Sequence, residues 1–181
     1  MIYVFLAEGF EEIEAIAPID ILRRAELSVA TVGVGRKTVT GSHGIPIVTD
    51  VIDCEIAPDE NCEGVILPGG LPGTLNLEKS ETVQKFIAYA VENNLIIGAI
   101  CAAPSILGHK GILNDKEAIC YDGFETQLFG AKIGNTPVCR DGNIITAIGA
   151  GAALEFGFKL TEAFLDSKQA NRIKESMKCI Q

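Results

Sequence analysis

Leu95-Ile96-Ile97-Gly98-Ala99-Ile100, running directly into Cys101-Ala102-Ala103-Pro104, is the stretch on which the fold turns. A short, nearly continuous apolar run of this kind is the pattern of a strand covered by helices on both faces of a parallel sheet. Gly64-Val65-Ile66-Leu67 has the same character. Between the two, Ser80 to Asn93 places Val83, Phe86, Ile87 and Ala90 at helical spacing, so the unit reads strand, helix, strand. Toward the N-terminus, β-rich runs at 2–7 and 28–34 flank a helical stretch from Glu11 to Glu26, which makes the opening β-α-β. Toward the C-terminus the spacing predicts a helix at 102–109, strands at 117–121 and 143–147, and helices near 151–165 and 168–177. The alternation implies an α/β layered sandwich around a mostly parallel sheet. Lys37 to Val51 departs from it. There Val39-Thr40, Gly41-Ser42-His43-Gly44 and Ile45-Pro46-Ile47-Val48 read as a small hairpin, an excursion suited to an edge or a partner contact.

The 181 residues carry no internal repeat, low-complexity tract or linker and fit a single domain, 1–181. With 48% hydrophobic and 22% charged residues, the chain can bury a real core. Fifteen basic against 24 acidic residues leave a net charge of -9, which repels phosphate backbones and anionic membrane surfaces and disfavours nucleic-acid binding. The opening Met1-Ile2-Tyr3-Val4-Phe5-Leu6 has no basic flank or small-residue cleavage site, and no apolar run approaches the roughly 18–20 residues of a membrane span. The expectation is a cytoplasmic protein without membrane contact. Six cysteines, Cys54, Cys62, Cys101, Cys120, Cys139 and Cys179, include no CxxC pair and read as reduced thiols.

Ligands of open α/β sheets bind where strands turn into helices at their carboxyl ends. Three such turns carry chemistry. At Cys101 an apolar strand ends on a cysteine, and small Ala102 and Ala103 open a helix, which resembles a nucleophile elbow. A thiol at a helix N-terminus is expected to fall below its usual value of about 8.5; a lone cysteine here also fits a plain core position. In Leu67-Pro68-Gly69-Gly70-Leu71-Pro72-Gly73-Thr74, adjacent glycines let the backbone approach a ligand. The amides of Gly70 and Ala102 could then form a two-donor oxyanion hole, although a tight turn accounts for the glycines equally. The loop lacks the Lys-Ser/Thr of a phosphate loop and a GxGxxG pattern, so nucleotide binding is not supported.

The third turn is Glu8-Gly9-Phe10-Glu11-Glu12-Ile13-Glu14. Glu8, Glu11 and Glu12 read as solvated acids complementing a helix dipole. Glu14 is different, because the apolar Ala15-Ile16-Ala17 follows it and Pro18 has no N–H for its carbonyl, which predicts a distorted helix. A carboxyl in apolar surroundings tends to keep its proton, and a protonated Glu14 could donate to a thiolate.

Glu14, Gly69-Gly70, Cys101 and the closing Ile148-Gly149-Ala150-Gly151, in this order, resemble the ThiJ/PfpI superfamily, nearest the branch of the parkinsonism-associated protein deglycase and bacterial ThiJ-type proteins. The likeness spans nearly the whole chain, from Ala-Glu-Gly-Phe-Glu-Glu-Ile-Glu through Asp20 to Arg24, Leu-Pro-Gly-Gly and Ala-Ile-Cys-Ala to Ala118-Ile119-Cys120-Tyr121. It implies a flavodoxin-like, class I glutamine amidotransferase-like three-layer fold and a homodimer. It also implies that Cys101 is an oxidation-prone nucleophile, that Glu14 is protonated and bonded to it, and that the Gly70 and Ala102 amides line an anion pocket. Family activities include cofactor-free glyoxalase action on methylglyoxal, deglycation of its adducts, and oxidative-stress sensing with chaperone-like behaviour.

This sequence departs from the family in three places. Ala102 follows Cys101 where proteolytic relatives carry a histidine, and no histidine falls near Gly130 or Ala131. Ala147-Ile148 stands where relatives have Ser/Thr-Arg, which removes a positive contact for anionic substrates. Of the two histidines, His109 reads as a helix C-terminal cap. His43 occupies the hairpin position of a family arginine that contacts the neighbouring subunit, so it could reach a partner's pocket with Arg24, or be a plain turn residue.

The expected function is cofactor-independent glyoxalase or deglycase chemistry on methylglyoxal or glyoxal, with Cys101 as nucleophile and Glu14 as proton shuttle. No cofactor or metal is expected, and no zinc-like ligand spacing is present. The alternative is a redox sensor whose Cys101 is oxidised to sulfinate without significant turnover.

Overall fold

The computed structural model describes residues 1–179. In chain order the main elements are β1 (Ile2–Leu6), α1 (Glu12–Arg24), β2 (Val29–Gly33), β3 (Thr38–Thr40), β4 (Pro46–Val48), β5 (Val51–Ile52), β6 (Gly64–Leu67), α2 (Gly73–Lys79), α3 (Glu81–Glu92), β7 (Ile96–Ile100), α4 (Pro104–His109), β8 (Glu117–Ala118), β9 (Lys132–Ile133), β10 (Val138–Asp141), β11 (Ile144–Ala147), α5 (Ala153–Phe164) and α6 (Ser167–Ser176). Seven strands form one sheet in the order β10-β11-β7-β6-β1-β2-β5. Every pairing in it is parallel except that of edge strand β10 with β11. This is the α/β, mostly parallel architecture that the apolar runs require.

The sheet separates two cores. On one face Phe5, Leu67, Val83, Phe86 and Leu107 pack under α3 and α4. On the other, Leu6, Ile19, Leu22, Ile100, Phe156 and Leu160 pack under α1 and α5. α1 runs unbroken through Pro18, so the expected distortion does not end the helix. Pro18 is buried against Gly157 of α5, and that packing holds the turn from which the ring removes one hydrogen bond.

Three local features differ from the sequence reading. The strand expected at 117–121 stops at Ala118 and pairs with β9 in a separate two-stranded sheet. Beyond it, Ile119 donates to Thr146 Oγ1 at 2.9 Å and Tyr121 to the Cys101 carbonyl at 2.8 Å, so this segment seals the ends of β7 and β11 instead of extending a ladder. Helix α2 follows the loop 69–72 directly, and β10 closes the sheet edge; neither has a strong periodic signature. The expected hairpin forms as β3 and β4, whose intervening turn lies against the start of α1. Among the described residues, no helix is long and apolar enough to cross a membrane.

Candidate active site

The carboxyl ends of β1, β6, β7 and β11 bring the site together. β7 ends at Ile100, and Cys101 adopts φ +64°, a left-handed conformation uncommon for any residue with a Cβ. Its N–H donates to the Ala147 carbonyl at 2.9 Å, and its own carbonyl accepts from Tyr121 at 2.8 Å. The strained turn is thereby fixed on both sides, and Sγ is aimed out of the strand. Two backbone amides, of Gly70 and Ala102, donate to Sγ. Gly70 reaches it from the loop after β6 with φ +89°, and Gly69 is required for a different reason. A Cβ there would lie 2.6 Å from Cys101 Cβ and 2.6 Å from Glu14 Oε2.

Glu14 approaches from the first turn of α1 and is 1% exposed. It shares a side-chain hydrogen bond with Cys101 and accepts from the Gly69 amide at 2.9 Å and from the Ala150 amide. Burial pushes its carboxyl from 4.5 up to about 7; the Glu11 charge adds to the rise, and the bonds from Cys101, Gly69 and Ala150 oppose it. Glu11 is the N-cap of α1, its Oε2 accepting from the Glu14 amide at 2.8 Å.

The thiol corrects an expectation. With Glu14 ionised, Cys101 is pushed up to about 12, first by burial and then by the Glu14 charge and hydrogen bond, against the two amides. The helix cannot prevent this, since α4 begins only at Pro104 and has six residues, too short for an appreciable dipole. A proton on Glu14 removes its charge from the sulfur and leaves the amide donors in place. The protonation of Glu14 and that of Cys101 are therefore coupled.

Glu12 is a second correction. Its place at the start of α1 predicts a solvated acid, but it is 6% exposed. Its carboxylate accepts from the His43 amide at 2.8 Å, the Ile45 amide at 3.4 Å and Ser42 Oγ at 3.4 Å, and pairs with His43 Nδ1 at 2.9 Å. Burial alone would raise it, yet the His43 side chain and these amides hold it below the usual carboxylate range. His43 is thus engaged by its own chain. Glu11, Glu12 and His43 place ligand atoms within 4.8 Å of one another, but donors already occupy the Glu12 oxygens, which leaves little for a cation.

Glu14, Gly70, Cys101 and Ala102 converge, and Arg24 does not join them. It lies at the opposite end of α1, bonded to Asp20 at 2.7 Å. His109 ends α4 as expected, but its Nδ1 meets Glu78 of α2 at 2.6 Å instead of a helix carbonyl. None of the six cysteines is disulfide-bonded. Sequence reasoning missed Ala150 and the capping role of Glu11. The Gly149-Ala150-Gly151 run signalled the first, and the three-residue spacing of Glu11 and Glu14 the second.

Comparison with known proteins matches residues 1–163 to the model of the DJ-1/PfpI family. Protein dj-1beta of Drosophila melanogaster is 32% identical over 177 residues, covering 96% of this chain and 94% of that protein. The glutathione-independent glyoxalase DJR-1.2 of Caenorhabditis elegans is 30% identical over 167 residues, covering 92% and 89%. The solved structure of oxidized Toxoplasma gondii DJ-1 superposes with a TM-score of 0.93 at 30% identity, covering 97% of this chain and 96% of that one.

Proposed function

From the premise that this chain belongs to the DJ-1/PfpI family, we propose that it is a cofactor-independent glyoxalase converting methylglyoxal or glyoxal to the corresponding 2-hydroxy acid. The observation that carries this reading is the convergence of the Glu14 carboxyl and the Gly70 and Ala102 amides on Cys101 Sγ. The glyoxalase named among the relatives supports the reaction class.

Glu14, with its carboxyl near 7, is divided between acid and base forms at neutral pH, the poise suited to proton transfer. As carboxylate it takes the Sγ proton while sulfur bonds to the aldehyde carbon, so the thiol is activated during attack. The aldehyde oxygen becomes an alkoxide held by the two amides, and Glu14 returns the proton to give a hemithioacetal. Glu14 then removes the hydrogen from C1, passing through an enediol, and a proton is delivered to C2. The product is a 2-hydroxy thioester. Water cleaves it, releasing the hydroxy acid and restoring the thiol, so that one 2-oxoaldehyde and one water give one hydroxy acid.

Proton NMR of the purified protein with methylglyoxal tests the scheme. Lactate should accumulate with the wild type and not with Cys101→Ser or Glu14→Gln. Lactate formed equally by Cys101→Ser would overturn it. One observation favours redox sensing as a second reading, namely that Cys101 is only partly buried and the donors around it would equally hold a sulfinate. No turnover, with peroxide adding two oxygen atoms to Cys101 alone by mass spectrometry, would select that reading. We propose a homodimer for the same protein, supported by exposed Ile13, Ile16 and Ile45 along one apolar groove and tested by sedimentation equilibrium. A contribution of Arg24, or of His43 with its Nδ1 still paired to Glu12 of its own chain, across that dimer is part of the same proposal.

A further inference from the structure

The turn between β3 and β4 is bound to the first turn of α1 more heavily than a surface loop requires. Ser42 N–H donates to the Phe10 carbonyl at 2.7 Å, and Gly9 N–H to the Thr40 carbonyl at 2.8 Å. Gly41 lies flat on the Glu12 carboxylate, whose Cδ would be 2.3 Å from a Cβ at that position. Together with the bonds from Ser42, His43 and Ile45, the Gly41 contact converges on one nearly buried acid, Glu12, two residues before Glu14. The His43 ring sits between two carboxylates, with Nδ1 2.9 Å from Glu12 Oε2 and 3.8 Å from Glu11 Oε1. Glu11 in turn caps the Glu14 amide and is the charge that acts on the Glu14 carboxyl from its own helix. A continuous path of contacts therefore leads from an exposed imidazole through Glu11 to the backbone amide of the buried acid.

We infer that His43 is a positioning residue for the Glu14–Cys101 pair: clamped by Glu12, its imidazolium lies 3.8 Å from Glu11, the carboxylate that caps the Glu14 amide, and screens the charge that Glu11 presents to the pair. The inference rests on the reading of Glu14 as the acid–base group and extends it to a residue that touches neither substrate nor sulfur. The groups facing His43 are Glu11 and Glu12 of α1 and the neutral Ser42 hydroxyl beside it. Those acting on Glu14 are Glu11 and Cys101. The Glu12 contact holds the proton on His43 beyond the pH at which a free imidazole loses it. As pH rises through that titration the cation disappears, Glu11 acts on Glu14 undiminished, and Glu14 keeps its proton longer. The acid then titrates over a broader and higher range than an isolated carboxyl.

The experiment is a carbon-13 NMR titration of the Glu14 carboxyl in the full chain, assigned with Glu14→Gln and run on wild type, His43→Gln and His43→Arg. His43→Gln removes the charge, and the Glu14 midpoint should rise by about half a unit. His43→Arg keeps the cation at every pH and should leave the midpoint at or below the wild-type value. A loop acting only as a structural strap would respond to both substitutions alike. Equal shifts in the two variants, or no rise in His43→Gln, overturn the inference. Amide exchange of Ser42 to Ile45, compared in both variants, shows whether the turn stays docked. If either variant frees it, Glu11→Gln, which removes the charge that His43 screens, should lower the midpoint and narrow the transition, and its failure to do so is equally decisive. The readout needs no turnover, so loss of the glyoxalase reading and loss of this one are separate results.

Discussion

Replacing Glu14 by Gln should stabilise the protein, and only on the alkaline side. The carboxyl titrates at 4.5 in an open chain and near 7 in the fold. Between those values the native state holds a proton that the unfolded chain has released, so stability falls as pH rises through the interval. At about 1.36 kcal/mol per unit, the full cost above pH 7 is about 3 kcal/mol; below 4.5 both states are protonated and the cost vanishes. Gln has the same shape without the charge. Its carbonyl oxygen can accept from Gly69 at the 2.9 Å now spanned by Oε2, but its NH2 group faces the Ala150 donor, a mismatch worth about 1 kcal/mol. The net gain at pH 8 is about 2 kcal/mol, or roughly 4–8 °C in Tm for a chain of this length, and nothing or a slight loss at pH 4. Thermal melts of both proteins by circular dichroism from pH 4 to pH 8.5 measure it. A difference in Tm that is constant across the range, or larger at the acid end, would refute the buried, raised carboxyl. By the proposed mechanism the same substitution removes turnover, so stability and activity should move in opposite directions.

Gly69→Ala sets a methyl 2.6 Å from Cys101 Cβ and 2.9 Å from the Ile100 carbonyl. It should cost about 2–3 kcal/mol in urea unfolding and abolish lactate formation; an unchanged urea midpoint would mean that the loop gives way more easily than its contacts indicate. Glu12→Ala leaves the His43 and Ile45 amides without their acceptor, an expected loss of about 2–3 kcal/mol. Hydrogen exchange at those two amides should speed up while β7 amides are unaffected. Phe156→Ala empties a fully buried position under the sheet and should cost about 3–5 kcal/mol; a loss under 1 kcal/mol would mean that the α5 face packs differently.

The sheet was legible in the sequence because strands buried on both faces must be apolar throughout. Leu95 to Ile100 and Gly64 to Leu67 therefore announced themselves, and the turns following them located Cys101 and Gly69-Gly70. The strands at 117–118 and 138–141 were harder to read, since they are short and half-exposed and their pairing depends on which neighbour happens to lie alongside.

Glu14 stood out among four acids through the apolar residues after it, a property of local sequence. Glu12, one turn position from it in character and two in number, has no such local mark. It is buried because residues 41–45 fold back over it, and a contact across some thirty residues is invisible to any window along the chain. The same limit explains the thiol. A helix following Cys101 suggested a lowered value, while the carboxylate and the enclosure that raise it come from α1 and the neighbouring loops. Composition and spacing determined which residue types stood at the ends of the strands. Which charges face one another there, and in what dielectric, was decided by the packing of elements far apart in sequence, because electrostatic free energy depends on distance through space and on burial.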